Sequence, residues 1–441
     1  MAKPLIKRRW IFVLIIFVFL ILHQFDIRIL GPRISERMFL SVTEDQVVVP
    51  FNLLAVLIGL FFFLFWGYLY DGHTRKKLFS AASFLWGVTS LLMGVAPTAS
   101  TYLISNALGT IDNASYSGIF AVAGDFFGPK NRGKILGLLL VSQPLAFLLG
   151  LILSNSLENL VNWRIWLFVM GAVAFFFSLL IHFSVPEPKR GAAEPAMVNI
   201  EMTGVYLFDW DLAKNQLKKS SLLLLFSVGF LNIIPWAVLI NWGLRYINEV
   251  SDFPNSVIYV TLIPPIIALI LGYPVGGFIG DISFKSTRIG RVFPSLMGSL
   301  MASLFILFAF MISEMMSVPY IISMTLLGFF MGFVRPNMLA SIQDVTLPEL
   351  RGTAYGLFLL SEALGTLFGS FIVSFLHQSL DLGRVILITC VGGWLFSFIV
   401  QLILLKTLPA EVESLRRHMA YRSQLELRLV GDKARGVQTK K

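Results

Sequence analysis

The sequence is poor in cysteine and in charged residues. Its 441 residues include one cysteine, Cys390, so the chain can form neither an internal disulfide nor a cysteine-based metal site. Charged residues make up 14% of the chain, whereas a typical soluble domain has about 25%. Hydrophobic residues make up 56% of the chain, and phenylalanine occurs 40 times. These residues carry more apolar surface than the core of a soluble protein of this length can bury. This composition predicts a membrane protein.

Recognisable enzyme motifs are also missing. The sequence has no P-loop, no dinucleotide-binding glycine pattern in a strand–helix context, no zinc-protease histidine pair and no nucleophile elbow. His23, His182 and His377 lack metal-ligand spacing, so we assign them no site. The net charge of +10 lies mostly in short connections between apolar runs, which argues against nucleic acid as a partner. We predict that the protein is not an enzyme and uses no metal or cofactor.

Long apolar runs account for most of the chain. About twelve of them reach roughly 20 residues, the length that a helix needs to cross about 30 Å of hydrocarbon. Strands of a membrane barrel are about ten residues long and alternate in polarity. These runs are longer and do not alternate. We therefore predict an all-α membrane protein with twelve transmembrane helices in two six-helix bundles. The predicted spans are 10–30, 47–69, 78–96, 101–127, 135–156, 164–185, 221–246, 256–279, 292–313, 319–342, 353–376 and 384–406.

The connections indicate orientation and domain boundaries. If the N-terminus is cytoplasmic, most of the 35 lysine and arginine residues lie on the inner side, as the positive-inside rule requires. Both termini are then cytoplasmic, and we expect a multi-pass protein of the cell (inner) membrane. The longest break between apolar runs follows the sixth run. The predicted units are a first bundle at 1–185, a linker at 186–220, a second bundle at 221–406 and a basic cytoplasmic tail at 407–441.

Two loops of the first half recur in the second half. GYLYDGHTRKK contains Asp71, and GGFIGDISFKSTRIGR contains Asp281, 210 positions later. GPKNRGKILGL and LPELRGTAYGL place Arg132 and Arg351 219 positions apart. Two loop matches at similar offsets indicate a duplicated bundle. Such duplication is typical of transporters, in which two similar bundles rock around a central site.

These features resemble the major facilitator superfamily over essentially the whole helical length. In that family the loop between the second and third helices carries a glycine, an aspartate about four residues on and a basic run. Gly67, Asp71, Arg75 and Lys76 match this pattern, although two other positions of the loop depart from it. The resemblance implies that Asp71 caps a neighbouring helix end or pairs with Arg132 in the outward-facing state.

A closer similarity is to the spinster-type transporters, which carry lipids and sphingolipids. FDIRILGPRIS and TIDNASYSGIFAVAGDFF are similar to their first and fourth helices. That subfamily has Asp followed by Arg in the first helix and Glu before Ala-Ser-Tyr-Ser in the fourth. Here Ile27 separates Asp26 from Arg28, and Asn113 stands at the glutamate position. The subfamily's charged coupling pair is therefore half present.

Polar side chains in hydrocarbon cost several kcal/mol unless they are paired or face water, so each is a functional candidate. Asp26 is a proton or cation acceptor or an ion-pair partner in a gate, or else Asp26 and Arg28 lie at the wet end of the first helix. Asp112, Asn113 and Tyr116 form a polar stripe on the fourth helix. The stripe lines a cavity or makes hydrogen bonds between helices.

The second half contains one candidate ion pair. Arg335 and Glu362 fall at depths of roughly 10 and 14 Å on adjacent helices, so they can pair. The pair closes the inner side, couples a proton or is structural. Further candidates for the cavity wall are Gln143, Asn232, Trp236 and Asn241. The predicted gating residues are Gly67, Asp71, Arg75, Lys76, Arg132, Asp281, Arg288 and Arg351.

Together these observations predict a monomeric secondary transporter that moves a small or amphipathic organic solute by rocker-switch alternating access. Membrane lipids surround it, and nucleic acid is not a partner. Proton coupling and uncoupled facilitation, including lysolipid-type carriage, remain open at this point. A non-transporting membrane scaffold or sensor on the same fold is the alternative from another class.

Overall fold

The computed structural model describes residues 3–26, 44–160, 163–197, 209–250, 255–287, 290–312 and 317–438. Within these ranges the chain is helical and contains no strand. Among the described residues, ten helices are long and apolar enough to cross a membrane, and Arg9–Phe25 is a shorter apolar helix. The predicted all-helical membrane fold is confirmed. The bounds of the predicted spans lie within several residues of the helices, except that the last helix runs well past 406 and residues 27–30 of the first predicted span are outside the described residues.

The helices are numbered below as twelve spans in chain order. Spans 4, 5 and 10 consist of consecutive helices with short interruptions. The spans are Lys3–Phe25; Glu44–Gly72; Arg75–Val95; Ala99–Leu108 with Thr110–Asn113 and Tyr116–Phe126; Arg132–Leu140 with Ser142–Leu160; Trp163–Ser184; Ser220–Val250; Asn255–Ser286; Val292–Met311; Val318–Met331 with Val334–Val345; Arg351–Leu376; and Leu382–Gln438.

Spans 4 and 10 are interrupted at equivalent places. Span 4 breaks on either side of Thr110–Asn113, and span 10 breaks at Gly332 and Phe333. A broken helix leaves carbonyl groups without their usual partner, and in a membrane these groups need another donor. The indole nitrogen of Trp66 supplies one such donor to the carbonyl oxygen of Ile111, at 2.7 Å. At the break in span 4, a side chain of span 2 therefore replaces a missing backbone donor.

The two bundles meet along two helix pairs. Span 2 packs along span 11, and span 5 packs along span 8. The predicted linker begins with residues 186–197 beneath one end of this interface, which we call the linker face. Residues 198–208 of the predicted linker lie outside the described part, and Trp210–Leu217 forms a short helix before span 7.

The last helix extends past the predicted end of its membrane span. Span 12 continues without a break to Gln438, so most of the predicted tail 407–441 is helical. Leu415 and Met419 of this extension are buried against Met197 and Leu347. The extension therefore packs on the linker face, next to both the linker and the start of span 11.

Candidate functional site

Asp71 and Asp281 each hold a helix end of the opposite bundle. Asp71 accepts hydrogen bonds from the backbone N–H groups of Gly352 and Thr353, at 2.7 and 2.6 Å. Asp281 accepts from the backbone N–H groups of the two residues after Arg132, both at 2.9 Å. The first N–H groups of a helix have no partner within the helix, and the positive end of the helix dipole favours an anion. Each carboxylate therefore ties one bundle to the other.

Glycines allow the bundles to approach at these positions. A Cβ atom on Gly67 would lie 2.7 Å from the carbonyl oxygen of Gly352, and one on Gly277 would lie 2.1 Å from that of Gly133. Neither contact can be relieved by a side-chain rotation, because the crowding atom is backbone. Gly67 and Gly277 are 210 positions apart, as are Asp71 and Asp281, so the close contact belongs to the repeat.

Four buried arginines form a second set of contacts across the linker face. Asp125 pairs with Arg75 and, at 3.3 Å, with Arg351. Asp344 pairs with Arg132 at 2.8 Å and with Arg291 at 2.9 Å. Asp125 and Asp344 are 219 positions apart, the same offset that relates Arg132 to Arg351. Each half of the network thus repeats the other: a carboxylate on an even-numbered span holds one arginine from each bundle.

One more carboxylate in this network comes from the linker. Glu194 is 2% exposed and pairs with both Arg132 and Arg351. Burial alone would raise the pKa of Glu194. The two neighbouring guanidiniums lower it by more than burial raises it, so that the pKa falls to about 2. Glu194 therefore stays ionised at any physiological pH.

Some predicted gating residues make contacts other than those expected, and some members of the network were not predicted. Asp71 binds a helix end and not Arg132, which pairs with Glu194 and Asp344. The backbone of Lys76 donates to Glu187 at 2.8 Å. Arg288 lies outside the described residues. The sequence reasoning missed Asp125, Asp344, Arg291 and Glu194.

A central cavity of about 520 Å³ lies between the bundles, within the range typical of ligand sites. Its wall includes residues 359–367 of span 11, whose gating end begins at Arg351. Arg351 and Leu359 are eight positions apart on this helix, roughly 12 Å. The cavity is thus closed from the linker face by about this depth of packed residues. The predicted residues that line it are Asn113, Tyr116, Gln143, Trp236, Asn241, Arg335 and Glu362.

Arg335 and Glu362 form an ion pair at the cavity wall. Their closest N–O distance is 2.7 Å, and Arg335 also donates to the side-chain oxygen of Gln143 at 3.1 Å. Asn232 lies beside the pair in a small void behind the wall. Among the described residues lining the central cavity, Arg335 is the only arginine or lysine and Glu362 the only carboxylate.

The first bundle holds a buried polar cluster that reaches the central cavity through Tyr116. Asp112 pairs with His23, whose other ring nitrogen is 2.6 Å from the hydroxyl of Tyr116. Asp26 accepts hydrogen bonds from Trp86 at 2.8 Å and from a serine at 3.2 Å. His23, to which we assigned no site, is fully buried, and Asp26 is 4% exposed. Arg28 is outside the described residues, so the predicted role of the Asp26 and Arg28 pair stays a prediction.

An apolar compartment adjoins the central cavity. It measures about 150 Å³ and shares Gln143, Trp236 and Ile240 with the cavity wall. Its remaining wall comes mostly from the second bundle and is formed by apolar side chains such as Phe310 and Met324. The two spaces together offer polar contacts at one end and an apolar surface at the other.

Comparison with known proteins agrees with this architecture. The sequence profile described as Major Facilitator Superfamily matches residues 9–370 and 282–430. The chain is 34% identical over 132 residues to protein spinster homolog 3 of Homo sapiens. It is 32% identical over 132 residues to the sphingosine-1-phosphate transporter SPNS2 of Xenopus tropicalis. Each of these matches covers 29% of this chain and 26% of the relative.

A solved structure of similar fold is the proton:xylose symporter XylE, bound to 6-bromo-6-deoxy-D-glucose. The TM-score is 0.70 at 14% identity, and the match covers 93% of this chain and 99% of XylE. At this identity the likeness concerns the fold alone. The prediction of a transporter, not an enzyme, agrees with the family match, which spans nearly the whole helical region. The chain belongs to the major facilitator superfamily of membrane transporters.

Proposed function

We propose that this protein is a secondary active transporter that moves an amphipathic organic solute by alternating access. The observation that carries the proposal is the pairing of a closed, duplicated charge network with a solute-sized cavity directly beyond it. Contacts made only between the two bundles break when the bundles rock apart, so they set the balance between two states. A scaffold on the same fold would have no use for a network of this kind.

The two adjoining spaces suggest the class of solute. A polar head would occupy the central cavity near Arg335, and an apolar chain would enter the compartment lined by Phe310 and Met324. Because Arg335 is the only cationic side chain lining the described cavity, we expect the head to be anionic. The name of the relative SPNS2, a sphingosine-1-phosphate transporter, fits a single-chain phosphate of this kind.

Glu362 is our proposed coupling residue. It holds Arg335 at 2.7 Å, so an anionic head must compete with it for the guanidinium. A proton on Glu362 would remove that competition and favour solute binding, which links the two fluxes. We further propose that the linker face is cytoplasmic, that both termini lie on that side and that the protein works as a monomer.

Uptake into proteoliposomes tests the proposal with two probes that share a head group, and with xylose as a neutral solute that lacks it. Lysophosphatidic acid carries an acyl chain, and glycerol 3-phosphate carries the same phosphate without it. We expect uptake of lysophosphatidic acid, faster with an imposed pH gradient, and none of glycerol 3-phosphate. Uptake of neither probe, nor of xylose, would favour the scaffold. Uptake of xylose or glycerol 3-phosphate alone would leave a transporter but contradict the amphipathic solute.

Three variants test where the acyl chain of the solute binds and which residue couples the proton. Met324→Trp fills the apolar compartment and should abolish uptake, whereas Phe371→Trp, at a position 64% exposed on the helix surface, should not. Glu362→Gln should retain exchange of solute across the membrane but lose the response to the pH gradient. A variant that kept the full response would show that Glu362 does not couple the proton, and equal uptake by the wild type without a gradient would indicate a facilitator.

A further inference from the structure

The start of the linker is built into the closed linker face. Glu187 accepts hydrogen bonds from the backbone N–H groups of Arg75 and Lys76, at 3.1 and 2.8 Å. Gly191 donates to Asp125 at 2.8 Å. Its φ of +70° is a conformation that glycine adopts at little cost. These contacts attach residues 187–191 to the first bundle and direct the following residues under the arginine network.

Glu194 has no equivalent in the internal repeat, because it lies in the linker between the two halves. Its partners, Arg132 and Arg351, are equivalent residues of the two bundles, 219 positions apart. Both arginines donate to the same carboxylate oxygen, Oε1. One linker carboxylate therefore joins the two halves between Arg132 and Arg351, two positive charges that the repeat places close together.

Without this carboxylate the two guanidiniums would face each other across the bundle interface. Both are at most 2% exposed, so water screens them little. Arg351 would keep one described carboxylate partner, Asp125, at 3.3 Å, which it shares with Arg75, and the carbonyl oxygen of Gln343, also at 3.3 Å. Removing one partner from a buried ion pair is far more costly than removing an exposed one. The cost applies to the closed state alone, because separation of the bundles moves the two arginines apart.

We propose that Glu194 is a latch supplied by the linker: while Arg132 and Arg351 are both present, the linker face closes only with this carboxylate between them, and Glu194 releases at least one of the two when the bundles separate. The proposal rests on alternating access as the proposed function. It makes the linker a working part of the gate in addition to a tether, and it gives Glu194 a role in setting the ratio of the two states.

The experiment measures a distance across the linker face in nanodiscs by pulsed electron spin resonance. Spin labels at Lys77→Cys and Lys285→Cys, both exposed, report the separation of the bundles, with Cys390 replaced by serine. We expect Glu194→Gln to raise the ratio of open to closed populations on the order of 100-fold. The control Glu187→Gln changes a linker carboxylate that contacts only the first bundle and should shift the ratio by less than about threefold.

A double variant separates charge compensation from a general packing role. Adding Arg132→Gln to Glu194→Gln removes one of the two opposing charges and should restore most of the closed population. Should Glu194→Gln fail to fold, Glu194→Asp and the double variant carry the test, and both should remain closed. An unchanged distance in a folded Glu194→Gln protein, or no recovery in the double variant, would overturn the latch. A single distance in the wild type under every condition would instead count against alternating access itself.

Discussion

Asp71 offers a way to weaken the closed linker face without touching the cavity. We expect Asp71→Asn to shift the protein toward the state that is open at this face. The carboxylate is fully buried and accepts two backbone hydrogen bonds, from Gly352 and Thr353 at 2.7 and 2.6 Å. Asparagine has one acceptor oxygen, and its NH₂ group would face the other N–H.

The size of the effect follows from these two contacts. A hydrogen bond to a charged group contributes about 1.5–3 kcal/mol, and the charge also interacts with the helix dipole, by about 0.3–1 kcal/mol in typical cases. Loss of one bond and of the charge should cost the closed state about 3 kcal/mol. That is on the order of a 100-fold increase in the ratio of open to closed populations. Asp281→Asn, at the equivalent helix end, should also open this face, and it additionally removes the ion pair of Asp281 with Arg291 within the second bundle.

The assay is the Lys77 and Lys285 spin-label distance, and the matched control is Asp381→Asn. Asp381 also caps a helix start, by accepting from the backbone N–H of Arg384 at 2.9 Å, but it lies within the second bundle on the exposed surface. The control should leave the distance unchanged. If Asp71→Asn gave the wild-type distance distribution, the contact between Asp71 and span 11 would not contribute to closure.

Three further predictions test other contacts. Gly67→Ala should open the linker face, because its Cβ would lie 2.7 Å from a backbone carbonyl oxygen, whereas Gly72→Ala has no atom within 4 Å to meet and should be silent in the same distance measurement. Asp112→Asn should lower the free energy of unfolding by about 1–3 kcal/mol in detergent melting, because His23 loses its buried partner. The pKa of Glu194 is about 2, against 4.5 for the free group. Its contribution to the stability of the closed state should therefore be complete above about pH 4.5 and be lost as the pH falls toward 2. A closed population that changed between about pH 5 and 8 because Glu194 titrates would contradict this prediction.

The sequence predicted those parts of the site that depend on helix length and on the repeat. Twelve apolar runs determine the spans, and the loops around Asp71 and Asp281 mark the interface, because a basic loop between apolar runs stays outside the membrane. Asp125 and Asp344 were missed although the repeat extends to them. Each precedes a proline by four residues and an Arg-Gly pair by seven, in GDFFGPKNRG and QDVTLPELRG.

Glu194 and His23 could not be found in this way. Glu194 lies in the linker, which has no counterpart in the repeat, and its role depends on the three-dimensional closeness of two arginines 219 positions apart. His23 pairs with an aspartate on another helix, 89 residues away. A single sequence carries no signal for contacts between distant residues that neither repeat nor follow a spacing rule.

The central claim is that the two ends of the protein open alternately. It is tested most directly by measuring two distances under the same conditions, with labels at Lys77 and Lys285 on the linker face and at Val95 and Val318 on the opposite face, all exposed. Alternating access predicts that Asp71→Asn lengthens the first distance and shortens the second. Both distances lengthening together, or the second staying fixed while the first changes, would contradict it.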